Sequence, residues 1–166
     1  MSKETFKHRW ITCYEFEDGT PFIDMDDAAV AVPITESGEV LMIEEFSVAL
    51  NQRVLLLPAG GVEQGEAAVD TVNRELQEEA GFKAARWDLL ARLRPISKYV
   101  RCDFSVYLAR DLQPSKLQGD EAYEISVEYV PLEQFEELIA SGRLRDSNVI
   151  AALFLARSFL AKESRL

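Results

Sequence analysis

The stretch NRELQEEAGF, residues 73–82, constrains this chain more than any other. It is built of good helix formers, and Gly81 is the residue expected just past a helix C-terminus. The pattern predicts a helix over 67–80, in which each residue turns about 100° from the last. With Glu75 taken as the origin, Glu79 falls at about +40° and Glu78 at about −60°, so the three carboxylates share one narrow face. Val69, Val72, Leu76 and Ala80 form an adjacent apolar stripe that must face a core. A fold for this chain has to bury that stripe and still find a use for the acids beside it.

A solvated acidic face is the ordinary reading of such a run. Two points weigh against it. Like charges four residues apart repel by a few tenths of a kcal/mol, so stacking Glu75 on Glu79 brings no gain. The acids also sit at the helix C-terminus, the wrong end of the macrodipole for negative charge. Arg74, one turn before Glu78, can pair with it. A hard divalent cation removes both objections, because Mg²⁺ or Mn²⁺ takes oxygen ligands and shares its shell with phosphates and water.

The elements around the helix are legible in outline. WITCYEF (10–16) reads as a strand stopped by a turn at EDGT. AAVAVPIT (28–35) and VLMIEEF (40–46), joined by SGE, read as a hairpin. RVLLLPAGG (53–61) is a buried strand running into a Gly-rich loop. Residues 87–95 and 102–110 are further strands, and 111–124 is a polar loop long enough to carry function. A half-buried strand over 125–132 leads to a short helix over 132–142. A last helix spans 146–163, capped by Asp146 or Ser147. There is no βαβ rhythm, so a single domain over 1–166, with a mixed sheet between helices, fits best.

The charge balance excludes several partners. The net charge is −11, and no basic cluster offsets it, so nucleic acid is not expected to bind. No apolar run reaches the roughly 18 residues of a membrane span. The N-terminal residues hold no apolar signal segment. Cys13 and Cys102 form no CxxC pair, which suits reduced thiols in the cytoplasm. His8 is the only histidine, so acid–base chemistry falls to carboxylates.

From Gly60 to Phe82 the chain reads G-x5-E-x7-R-E-L-x-E-E-x-G-F. Position for position this resembles the signature of the Nudix hydrolases, with Gly60, Glu66, Arg74, Glu75, Leu76, Glu78, Glu79, Gly81 and Phe82 filling the fixed places. The resemblance implies an α/β fold, a Nudix-type α/β/α sandwich with a mixed β-sheet. It also implies Mg²⁺-dependent cleavage of a pyrophosphate inside a nucleoside diphosphate linked to a second group. Carried over, Glu75, Glu78 and Glu79 are the metal-binding carboxylates, joined by Glu66 and the carbonyl of Ala59. Arg74 orients a carboxylate through its fork. Mn²⁺ is an alternative to Mg²⁺.

LPAG before the helix and the segment after residue 117 are similar to ADP-ribose and ADP-sugar pyrophosphatases. That likeness makes Glu121 or Glu124, on the acidic loop, the candidate catalytic base. It also implies a homodimer formed through the N-terminal strand region, 1–26. Three places depart from that branch: Leu56 stands where Glu is frequent, Glu45 and Ser47 where Gln and Arg are, and Ser97 where Pro is. The sugar is therefore not specified. The densest basic residues, Arg92, Arg94, Lys98 and Arg101, with Tyr99 among them, are candidates to bind substrate. The alternatives are a dinucleoside polyphosphate, another nucleotide sugar or a nucleoside triphosphate as substrate, and a sensor that binds a nucleotide sugar without cleaving it. An intact acidic pattern argues against the sensor.

Overall fold

The computed structural model describes residues 2–119 and 123–165. At its centre lies β4 (Ala28–Pro33), buried along nearly its whole length. Such a strand has no solvent face, and its side chains alternate between two cores. Val30 and Val32 join one core with Val106, Leu108, Phe135 and Leu153. Ala29 and Ala31 join the other with Val72, Leu76 and Ala80. Small side chains on the second face let the acid-bearing helix lie close to the strand.

β4 is parallel to β10 (Phe104–Pro114) and antiparallel to the short β7 (Ala59–Gly61). β10 pairs antiparallel with β8 (Phe82–Leu93), giving a mixed sheet in the order β7-β4-β10-β8. A second sheet is built on β5 (Glu39–Ser47), flanked by β6 (Gln52–Leu56) and β11 (Ser126–Pro131). The helix α1 (Ala68–Glu75) covers one core. The other is closed by α2 (Phe135–Ala140) and α3 (Ser147–Glu163), so the expected α/β/α arrangement is present. The α3 cap is Asp146, whose carboxylate accepts from the amides of Asn148 at 2.9 Å and Val149 at 3.0 Å.

The expected 28–35/40–46 hairpin is not formed. It is reduced to one bridge between Ile34 and Val40. Both edges of β4 are already occupied by β7 and β10, so β5 has nowhere to pair beside it and builds its own sheet. The strand expected over 102–110 starts at Phe104 and runs on to Pro114, shortening the polar loop from its N-terminal side.

The N-terminal region is richer than the one strand predicted there. β1 (Ser2–His8), β2 (Ile11–Phe16) and β3 (Pro21–Met25) form a meander. It joins the body through β9 (Val100–Arg101), which is parallel to β3. Every residue of β1 is exposed. Phe22 stacks on Tyr14 at 4.9 Å and on Phe16 at 5.0 Å. Beside β9, the Cys102 thiol is buried and bonds the Asp26 carbonyl at 3.1 Å. Burial, together with Asp27 and Asp103, pushes that thiol up to about 11. Both cysteines are free. No helix among the described residues is long and apolar enough to cross a membrane.

Candidate active site

The helix predicted over 67–80 is present, but its last turn is wider than an α-helix. After α1 the chain continues as a π turn from Leu76 to Ala80. The Gly81 amide closes it on the Leu76 carbonyl, five residues back, and Gly81 itself is left-handed at φ 78°. Turns of this kind occur mostly as single insertions, frequently at functional sites. The expected core stripe is buried at Val72, Leu76 and Ala80, while Val69 is half-buried.

Glu75 and Glu79 are also buried, at 9% and 7% exposure. A carboxylate tolerates that only with partners. The Glu79 carboxylate accepts from the Ala59 amide at 3.0 Å. Ala59 was expected to offer its carbonyl; the contact seen here uses its N–H. Glu75 accepts from the Arg74 guanidinium at 2.8 Å. The same guanidinium reaches Glu78 at 3.1 Å and Glu66 at 3.4 Å. Burial alone would lower Arg74, but the carboxylates of Glu66 and Glu75 outweigh it and hold its pKa raised. Burial pushes Glu66 up, yet the Thr71 hydroxyl, Arg74 and the Glu63 amide together hold it below its usual range.

Gly60 has a steric role here. A β-carbon on it would stand 2.0 Å from Glu75 Oε1 and 2.6 Å from Glu75 Cγ. Only a bare Cα lets Glu75 lie against β7. Gly61 faces open space by comparison. One residue passed over in the sequence is Thr71, fully buried, whose hydroxyl donates to Glu66 at 2.7 Å. Its spacing is the signal that could have found it: Thr71 stands four residues before Glu75, on the same face as the acids.

Three of the acids, Glu66, Glu75 and Glu78, converge on Arg74. Among the described residues, no three His, Cys, Asp or Glu side chains form a ready-made cation cage. The donor chemistry nevertheless fits Mg²⁺ or Mn²⁺: Glu66, Glu75, Glu78 and Glu79 offer only hard oxygens, with no sulfur or imidazole among them. A cleft of about 510 Å³ opens beside them, lined by Glu63, Glu66, Arg74, Glu78, Gln118 and Gly119.

The remaining candidates are placed elsewhere. None of Arg92, Arg94, Lys98, Tyr99 and Arg101 lines this cleft. Arg94 pairs with Asp103 at 2.6 Å, Arg101 pairs with Asp24, and Lys98 lies 5.2 Å from the Tyr99 ring. Glu121 lies outside the described residues. Glu124 is exposed, and its carbonyl accepts from Arg53 at 3.1 Å. Glu45, Ser47 and Leu56, which depart from the ADP-ribose pattern, all line a larger cavity of about 1010 Å³ between the β5–β6 hairpin and residues 142–146.

Residues 25–153 match the NUDIX domain. The chain is 29% identical over 140 residues to the ADP compounds hydrolase NudE of Escherichia coli (strain K12), covering 84% of this chain and 75% of that protein. It is 27% identical over 128 residues to an ADP-ribose pyrophosphatase of Bacillus subtilis (strain 168), covering 76% and 69%. A crystal structure of an ADP compounds hydrolase superposes with a TM-score of 0.84 at 27% identity, covering 100% of this chain and 95% of the other. The acid-bearing helix and its glycine loop are thus those of a known family: the chain belongs to the Nudix family and is a pyrophosphohydrolase most like the enzymes named for ADP-ribose and ADP compounds.

Proposed function

We propose that the chain hydrolyses the pyrophosphate of ADP-ribose or an ADP-sugar in the presence of Mg²⁺, giving AMP and a sugar phosphate. Mn²⁺ can take the place of Mg²⁺. The observation that carries this reading is the clustering of four carboxylates, Glu66, Glu75, Glu78 and Glu79, about one guanidinium and one backbone amide. Burying Glu75 and Glu79 one turn apart serves no purpose of stability.

Glu75, Glu78, Glu79 and Glu66, with the Ala59 carbonyl, would hold the metal. When bound, it neutralises the pyrophosphate and activates water for attack. Arg74 orients Glu75 and Glu78 while the site is empty of substrate. The Ala59 amide holds one Glu79 oxygen against β7. Thr71 and Arg74 hold Glu66 below its usual range, which favours its charged, accepting form. Glu124 or Glu121 takes the proton from the attacking water. Arg92, Lys98 and Tyr99 remain substrate-binding candidates, while Arg94 and Arg101 would first have to leave Asp103 and Asp24.

A panel of ADP-ribose, ADP-sugars, diadenosine polyphosphates and nucleoside triphosphates with Mg²⁺ tests the reading, with products resolved by chromatography. AMP release from ADP-ribose or an ADP-sugar is expected. Turnover confined to dinucleoside polyphosphates or triphosphates would replace the substrate. Binding without turnover would make the chain a sensor.

We also place the protein in the cytoplasm as a homodimer of single-domain chains. The N-terminal meander supports the pairing: β1 is wholly exposed, and Phe6, Trp10 and Phe16 are 57%, 48% and 48% exposed. Light scattering after size exclusion should give twice the 18.8 kDa chain mass; a mass of one chain would refute the pairing.

A further inference from the structure

The acidic cleft has a wall that does not come from the helix. Gln118 and Gly119 line it opposite Glu63, Glu66, Arg74 and Glu78. They follow the end of β10, and the three residues before Gln118 are fastened to the π turn. Helix ends leave carbonyls without partners in their own turn. Here the Leu117 amide donates to the Gln77 carbonyl at 3.2 Å, and the Lys116 ammonium donates to the Glu78 carbonyl. The Ser115 amide donates to the Gly81 carbonyl at 2.8 Å. The Lys116 stem crosses the bare Cα of Gly81, with its Cδ 3.5 Å from where a β-carbon would stand.

Side chains complete the attachment. The Ser115 hydroxyl donates to Gln77 Oε1 at 2.8 Å. Gln77 Nε2 in turn donates to the Asn73 carbonyl at 2.8 Å, and Asn73 Oδ1 accepts from the Ala84 amide at 3.3 Å. Both ends of the Gln77 amide are therefore in use, and its orientation is set. Gln77 is the one residue between Leu76 and Glu78 that the family pattern leaves open.

We propose that Gln77, Ser115 and Lys116 form a strap that positions the cleft wall against the acid-bearing helix, and that Gln77 and Ser115 are positioning residues for the hydrolysis. The inference rests on hydrolysis taking place in that cleft. Gln77 adjoins Glu78, so a slack strap shifts the Glu78 backbone and the Gln118–Gly119 wall in relation to each other. Misplacement of about 1 Å costs as much as about a hundredfold in rate. None of the strap side chains lines the cleft, so substrate affinity should change little.

The test uses Ser115→Ala, Ser115→Thr, Gln77→Met and Glu79→Gln in the full chain. Initial rates are measured with Mg²⁺ and the ADP compound that the wild type turns over fastest, and are normalised to folded protein. Ser115→Ala should lower kcat about fivefold while KM stays within about twofold and the thermal midpoint within about 2 °C. Gln77→Met, which loses both ends of the link, should lower kcat about tenfold or more. Ser115→Thr keeps the hydroxyl and should restore kcat. An unchanged kcat in both Ser115→Ala and Gln77→Met would overturn the strap. So would losses that vanish on normalisation or that Ser115→Thr fails to restore. Glu79→Gln separates the two readings: activity lost there with Ser115→Ala and Gln77→Met both silent overturns the strap alone, and activity retained there overturns the cleft assignment and the strap with it.

Discussion

Adding one methyl group at Gly60 should damage the site far more than the fold. Gly60 is not in a left-handed conformation, so Gly60→Ala brings no backbone strain of its own. Its β-carbon would stand 2.0 Å from Glu75 Oε1, 2.3 Å from Cδ and 2.6 Å from Cγ. These atoms belong to a side chain that can rotate, so the clash is relieved by swinging Glu75 away from β7. That movement breaks the 2.8 Å contact with Arg74 and repacks a residue only 9% exposed. Overpacking of this kind costs about 1–3 kcal/mol, or about 3–10 °C in a domain of this size. The activity cost is larger, because the displaced carboxylate leaves its place by more than 1 Å: kcat should fall by about a hundredfold or more. The assay is Mg²⁺-dependent hydrolysis well below the melting midpoint, with Gly61→Ala as the control. A β-carbon on Gly61 meets nothing within 4 Å, so that variant should keep its activity. If Gly60→Ala and Gly61→Ala behave alike, the steric account of the glycine loop is wrong.

Three further outcomes follow from the same geometry. Glu79→Gln should abolish hydrolysis while the fold survives, because a Gln oxygen can still accept from the Ala59 amide; circular dichroism and turnover together check this. Arg74→Met should cost about 1–2 kcal/mol, a figure reduced for its partly exposed contacts. Mg²⁺ should raise the melting midpoint of that variant more than that of the wild type, since the cation replaces the lost charge. Glu66 is held below its ordinary value of 4.5, so its contribution to stability is complete above that value and is lost as pH falls through its lower, folded-state value. Denaturant midpoints at neutral pH and below pH 4.5 should therefore lie closer together in Thr71→Val, which lacks the hydroxyl bond, than in the wild type.

The parts of the fold legible in the sequence are those whose signal is local. Gly81 ends the helix where its position says it should, and Val72, Leu76 and Ala80 face the core as their spacing requires. The parts missed depend on competition or on absent patterning. SKETFKH carries no apolar alternation because β1 buries nothing, so no period betrays the strand. SGE makes a sound turn, with Gly38 at φ 83°, but no local rule reveals that both edges of β4 are already taken. LQEEA consists of ordinary helix formers, so nothing in it signals the wider turn that the Gly81 amide closes on the Leu76 carbonyl. The acids could be assigned to one face from their spacing. That one guanidinium would gather three of them could not, because Glu66 reaches Arg74 only after the loop has folded back over the helix.

The two thiols give the molecule a built-in probe. Cys102 is buried and its thiol is pushed up to about 11, so at neutral pH it offers almost no thiolate to an electrophile. Cys13 lies half-accessible on β2, in the middle of the N-terminal meander. A maleimide dye should therefore mark that sheet alone, without any engineered residue. Energy transfer between differently labelled copies would then report whether, and how fast, two chains exchange across it.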